Sequence, residues 1–131
     1  MSTIPAHLKY TDTHEWVLRE PDGTWVVGIT DHAQTMLGEV VFVELPEDDI
    51  EVEADDELVV LESVKAAADV FSPVTGVVTE VNMQLVDRPD FINKAPFEEG
   101  WLFKIAPHDE SAYDDLLDVA SYQEVVRSEA H

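Results

Sequence analysis

Lys65 is the residue whose setting most invites chemistry. The chain has four lysines, Lys9, Lys65, Lys94 and Lys104. Lys65 lies between small or apolar neighbours, Ser63-Val64 before it and Ala66-Ala67-Ala68 after it. For a lone lysine the ordinary reading, a solvated surface amine, is the favoured one, and only the wider context of Lys65 argues for more. Other chemistries find less support. The histidines His7, His14, His32, His108 and His131 form no HExxH pair, and His14-Glu15 lacks the second His, so no metal site is expected from local spacing. There is no GxGxxG, no phosphate loop and no GxSxG. Carboxylates are so abundant that their pairing along the chain says nothing about acid–base work. No catalytic residue is expected. The absence of cysteine excludes disulfides, a thiol nucleophile and thiolate metal sites.

The elements that must position Lys65 are read from composition and pattern. A length of 131 residues with 45% hydrophobic content suits one domain, 1–131, with a real core. No apolar run approaches the roughly 20 residues that cross a bilayer. Met1-Ser2-Thr3-Ile4-Pro5 carries neither a basic segment nor a hydrophobic stretch, so a cytoplasmic location is expected. Against 29 acidic residues stand 7 basic ones, a formal net charge of −22. Such a polyanion is repelled by nucleic acid and by anionic membranes. Its acids are interleaved with apolar residues, as in Glu47-Asp48-Asp49-Ile50-Glu51-Val52-Glu53. They read as a solvated surface suited to high salt, where the Debye length falls to about 3 Å at 1 M and self-repulsion is screened; an acidic interaction surface is the competing reading. A monomer is expected.

Strands and turns dominate. Glu15 to Glu20 is rich in β formers, Pro21-Asp22-Gly23 is a turn, and Thr24 to Ile29 returns as a hairpin. Asp31 with Gln34 three residues later fits a capping box and Gly38 a stop, predicting a short helix from Asp31 to Leu37. Glu39–Glu44, Val77–Val81 and Gly100–Ile105 read as strands, and Asp87-Arg88-Pro89-Asp90 as a loop. The tail, Ser111–Ala120 and Ser121–Glu129, reads as helical, with Ser121 and Glu124 as a second capping box. The segment Glu57–Phe71 is ambiguous. Glu, Leu, Lys and Ala favour helix, whereas Val59-Val60 and Val70-Phe71 favour strands.

The run Leu61-Glu62-Ser63-Val64-Lys65-Ala66-Ala67-Ala68-Asp69-Val70-Phe71-Ser72-Pro73-Val74-Thr75-Gly76 resembles the lipoylation motif of glycine cleavage H-proteins. Further blocks are similar to the same family in order and spacing. They are Lys9-Tyr10 with His14-Glu15-Trp16-Val17; Gly28 to Gln34 with Leu37-Gly38; Val41 to Pro46; and Ile92-Asn93, Pro96-Phe97 and Gly100-Trp101-Leu102. Together they span residues 8 to 106.

The resemblance implies a mainly β fold, a lipoyl/biotinyl-type barrel-sandwich hybrid of two small antiparallel sheets. Its core would cover about 8–106, with a short helix near 31–37 and a helical C-terminal extension over 109–129. It places Lys65 at the tip of a β-hairpin, with strands on both sides. It implies lipoic acid in amide linkage to Lys65, with Glu62, Ser63, Val64 and Ala66 read by a lipoate ligase or lipoyltransferase. The arm would take an aminomethyl group from glycine decarboxylase, a pyridoxal phosphate enzyme, and yield it to an aminomethyltransferase. Dihydrolipoyl dehydrogenase would reoxidise the arm. Glu15, His32 and Asp69 would stand near the cleft that shelters the loaded arm. Three departures from the family pattern bear on this: Met36 replaces a polar residue or histidine that contacts the arm in some relatives, Phe97 replaces a common Tyr, and Asp48-Asp49 and Asp55-Asp56 occupy loops usually supplied with glycine.

Competing readings are a biotin carrier, disfavoured by Val64 and Ala66 where methionines are usual, and a 2-oxoacid dehydrogenase lipoyl domain, which lacks the helix from Asp31 and the tail. A lipoate-relay protein of the same fold, a β module with a bare Lys65 and a small hydrolase using acidic pairs are the others.

Overall fold

The computed structural model describes residues 5–129. His131 and residues 1–4, read above for a signal segment, lie outside the described residues. Among the described residues nine strands follow in chain order: β1 (Lys9–Tyr10), β2 (Glu15–Arg19), β3 (Trp25–Ile29), β4 (Val40–Glu44), β5 (Ile50–Val52), β6 (Glu57–Ser63), β7 (Ala67–Phe71), β8 (Gly76–Val81) and β9 (Phe103–Pro107). Four helices accompany them: α1 (Asp31–Leu37), α2 (Gln84–Asp87), α3 (Phe91–Lys94) and α4 (Val119–Glu129). No helix among the described residues is long and apolar enough to cross a membrane.

The strands form two antiparallel sheets. One has six strands in the order β1-β2-β3-β9-β8-β5 and the other three, β4-β6-β7. A single apolar core lies between them, drawing Val17, Val27 and Phe103 from the large sheet and Val43, Leu61 and Val70 from the small one. Period-two alternation explains a second cluster. While Val17, Trp25 and Val27 point inward, Trp16 and Val26 point to the opposite face. Helix α4 covers that face, burying Tyr122 fully against Tyr10, the rings stacked at 4.6 Å. Phe97 packs on this cluster beside Trp16, so the hydroxyl missing there leaves the packing role intact.

Several local expectations are corrected. Helix α1 has the predicted bounds, but Thr30 caps it, its hydroxyl accepting from the Ala33 N–H at 3.2 Å. Asp31 is the first helical residue and accepts instead from the Gln34 side chain at 2.7 Å. The tail is not helical throughout. Glu110–Asp115 forms a 3₁₀ turn, and Leu117 then exchanges two 2.8 Å backbone hydrogen bonds with Tyr10. That bridge holds the chain extended, so α4 starts afresh. Asp118, not Ser121, caps it by accepting from the Ser121 N–H at 2.8 Å. The last strand begins at Phe103 rather than Gly100, because Gly100 and Trp101 close tight turns onto Ala95 and Glu98. The loop around Pro89 is flanked by the short helices α2 and α3.

Asp49 and Asp55 adopt left-handed backbone, with φ of 60° and 73°. Aspartate accepts the conformation that glycine adopts most readily, because its short polar side chain can bond locally. The two turns therefore reach left-handed backbone without glycine.

Candidate functional site

The ambiguous segment folds as a hairpin. Strands β6 and β7 pair antiparallel from Glu57↔Phe71 to Glu62↔Ala67, leaving Val64-Lys65-Ala66 at the tip. Cross-strand bonds and the burial of Val59, Leu61 and Val70 outweigh helix propensities that differ by only tenths of a kcal/mol per residue. Ser63 shapes the tip. Its N–H donates to the Ala66 carbonyl at 2.7 Å, and its Oγ accepts from the N–H of Ala66 at 3.0 Å and of Lys65 at 3.3 Å. The Val64 N–H donates to the Glu39 carbonyl at 3.0 Å, fastening the tip to the chain that follows α1. Glu62, Val64, Lys65 and Ala66 are exposed.

The Lys65 side chain lies across Gly38, the C-cap of α1, which has a φ of 88°. A Cβ at Gly38 would stand 2.9 Å from Lys65 Cε. Asn93 holds this platform. Its amide donates to the Gly38 carbonyl at 2.8 Å and to Gln34 Oε1 at 2.9 Å, and its oxygen accepts from the Val40 N–H at 2.9 Å. The sequence placed Asn93 in a family block without assigning this role.

Beside the tip opens a cleft of about 270 Å³. Ala66 borders it at the hairpin end, and Ile29, Met36, Leu37, Leu61 and Val70 make most of its wall apolar. Glu15 and Asp69 line it as well, together with Thr13 and His14. Of the three expected cleft residues the structure thus brings two together. His32 does not line the cleft. Its Nε2 lies 3.5 Å from Glu129 Oε1, and its ring centroid is 4.9 Å from that of His14. Met36 does line it, presenting a thioether to the cleft.

Glu15 is only 1% exposed. Burial pushes its carboxyl pKa above the ordinary value; hydroxyl bonds from Thr11 and Thr13 and the Phe71 N–H oppose this, and nearby Asp12 adds to it. Both threonine hydroxyls reach Oε1 at 2.5 Å. On its other side Glu15 borders a more polar cavity of about 280 Å³ that also touches Asp12, Asp55 and Asp115. It is the wall between the two. Between the unfolded glutamate value of about 4.3 and the raised folded value, the native state holds more proton than the unfolded one, so stability falls as pH rises. Above that window the loss is complete and flat. In urea titrations from about pH 4.5 to 8, the wild-type minus Glu15→Gln difference in unfolding free energy should fall through the window. Parallel curves would refute the assignment.

A sequence model of the Glycine cleavage H-protein family matches residues 8–129. The chain belongs to the glycine cleavage H-protein family. It is 52% identical over 129 residues to a Glycine cleavage system H protein of Shewanella frigidimarina and 50% identical to one of Escherichia coli O7:K1. Each alignment covers 98% of this chain and all of the relative. The crystal structure of a glycine cleavage system H protein from Mycobacterium marinum superposes with a TM-score of 0.83 at 35% identity, covering 98% of this chain and 100% of that one. H-proteins are the lipoyl carriers of the glycine cleavage system, and the two-sheet fold with its C-terminal helix is the H-protein form of the lipoyl barrel-sandwich. As an H-protein the chain is a carrier subunit and not a catalyst. That explains why its motifs contain no nucleophile and no acid–base pair.

Proposed function

We propose that Lys65 carries lipoic acid in amide linkage and that the cleft bordered by Glu15 and Asp69 shelters the loaded arm. One observation carries this reading: the exposed amine at a hairpin tip stands beside an apolar cleft that ends on a desolvated carboxylate. The residues suit the group. Small neighbours leave the amine open to a lipoate ligase or lipoyltransferase, with Glu62, Ser63, Val64 and Ala66 as the contact surface. When bound, the lipoyl group supplies the thiol–disulfide pair that the cysteine-free chain lacks and that accepts the aminomethyl unit of glycine.

The protein's own residues do the rest. The Ser63 turn and the Gly38 platform present the amine, while Ile29, Leu37, Leu61 and Val70 exclude water. Glu15, deprived of solvent, is poised to accept a cationic amine, which would draw its pKa down; Asp69 adds a second negative charge at the rim. His32 is assigned no contact with the arm, since it faces Glu129. The partners on this reading are glycine decarboxylase, aminomethyltransferase and dihydrolipoyl dehydrogenase, met by a cytoplasmic monomer. Tethering through Lys65 raises the effective concentration of the carried unit at each partner.

Peptide mass mapping of protein from its native host tests the attachment. A lipoyl increment on the peptide containing Lys65 is expected. A bare Lys65 in material active with the three partners would overturn the proposal.

A further inference from the structure

His14, His32 and Glu129 are remote in sequence, yet they meet at one corner of the fold. Helix α4 delivers Glu129, helix α1 delivers His32, and the turn before β2 delivers His14. Their ligand atoms all lie within 4.8 Å of one another. His14 Nε2 is 2.9 Å from both Glu129 oxygens, and His32 Nε2 is 3.5 Å from Oε1. We propose that these three side chains bind one divalent transition ion of the zinc class, tying α4 to α1 beside the cleft.

Three observations converge. First, donors bound tetrahedrally at about 2.0–2.1 Å are about 3.3 Å apart; the 2.9 Å and 3.5 Å spacings to Glu129 already match this, and a rotation of the His32 side chain closes the widest pair, which lies within 4.8 Å. Second, His32 Nε2 is buried without a hydrogen-bond partner. A buried nitrogen aimed at a carboxylate from beyond bonding distance lacks the partner such atoms normally have, and an ion between them supplies it. Third, His14 is oriented from behind. Its Nδ1 lies 2.8 Å from the Tyr122 hydroxyl, which lies 2.6 Å from the Thr30 hydroxyl. Without an ion, Nε2–H donates to Glu129; with one bound, Tyr122 donating to Thr30 lets its oxygen take the Nδ1 proton, which frees the Nε2 lone pair for the ion, an outer-shell arrangement common at metal-bound histidines.

His14 holds this place in left-handed backbone, with φ of 73°. Two imidazoles and one carboxylate favour a borderline ion over the all-oxygen shells of calcium or magnesium. Three protein ligands leave a fourth position for water. The net charge of −22 favours any cation, so the specificity must come from the nitrogens.

Calorimetric titration of the full chain with zinc chloride tests the site, in about 1 M potassium chloride to screen diffuse binding to surface acids. Cobalt(II) absorption reports the coordination number in parallel. One ion per chain is expected, with four-coordinate cobalt bands and no displacement by excess magnesium. His32→Ala and Glu129→Gln should each weaken zinc binding on the order of 100-fold. Both positions are partly exposed, and melts in EDTA should match wild type. Absence of a one-to-one event in the wild type would overturn the proposal, leaving a hydrogen-bonded cluster only. So would variants that bind zinc as the wild type does, or displacement by magnesium.

Discussion

Lys65→Arg should fold as the wild type does and carry no lipoyl group. The guanidinium stays protonated above pH 12 and offers no free amine to an activated acyl donor. Because the side chain projects from an exposed tip, the change in stability should stay within about 0.5 kcal/mol. After incubation with a lipoate ligase, the mass of the variant should be unchanged while the wild type gains one lipoyl increment. Glycine cleavage reconstituted with decarboxylase, aminomethyltransferase and dihydrolipoyl dehydrogenase should fall to the assay background. Free lipoate at matched concentration should restore little, since tethering is worth roughly 10² to 10⁴ in avidity. Retained turnover, or a lipoyl increment found on Lys9, Lys94 or Lys104, would remove Lys65 from its role.

The second large effect is expected at Gly76, where the chain leaving the Lys65 hairpin crosses to the other sheet. Gly76 opens β8 opposite Pro107. A Cβ there would stand 2.3 Å from the Ala106 carbonyl oxygen and 3.0 Å from Pro107 Cα. These are backbone atoms, so no side chain can swing aside. The crossing is fastened around them: the Ser72 hydroxyl donates to the Val74 carbonyl at 2.7 Å, the His108 N–H to the Thr75 carbonyl at 3.0 Å, and the Ala54 N–H to Thr75 Oγ1 at 3.0 Å. Gly76→Ala must push β8 and β9 apart or break this crossing. The expected loss is about 3 kcal/mol, the upper end for overpacking, with a melting temperature lowered by roughly 10 °C. An unchanged urea midpoint would show that the strands separate freely. The pairing that positions the hairpin would then be looser than the geometry indicates.

Much of this was legible in residue order. Strands β2, β3, β4 and β8 are runs of β-branched and aromatic residues between turn formers, and α1 ends at Gly38 as its sequence predicts. Lys65 is legible through the resemblance of the whole run Leu61–Gly76 to a lipoylation motif, since small neighbours alone suit a solvated lysine equally well. Helix caps were less legible. Thr30 and Asp118 do the work expected of Asp31 and Ser121, because where a chain enters its helix depends on what holds the preceding residues. Thr30 is held by the N–H···O bond from its backbone to His14 at 3.0 Å, and Leu117, just before Asp118, by its bridge to Tyr10.

By itself, then, the order of residues determined which segments alternate, where they turn, and that the chain has no thiol of its own. Tertiary structure alone decided the conformation of Glu57–Phe71, whose local preferences nearly cancel and were settled by pairing and burial. It also decided which carboxylates share a cleft and that His14 and His32 meet Glu129. Contacts of that kind depend on the docking of α4 over the outward face of β2, an event driven by apolar area and silent in the spacing of the residues it joins.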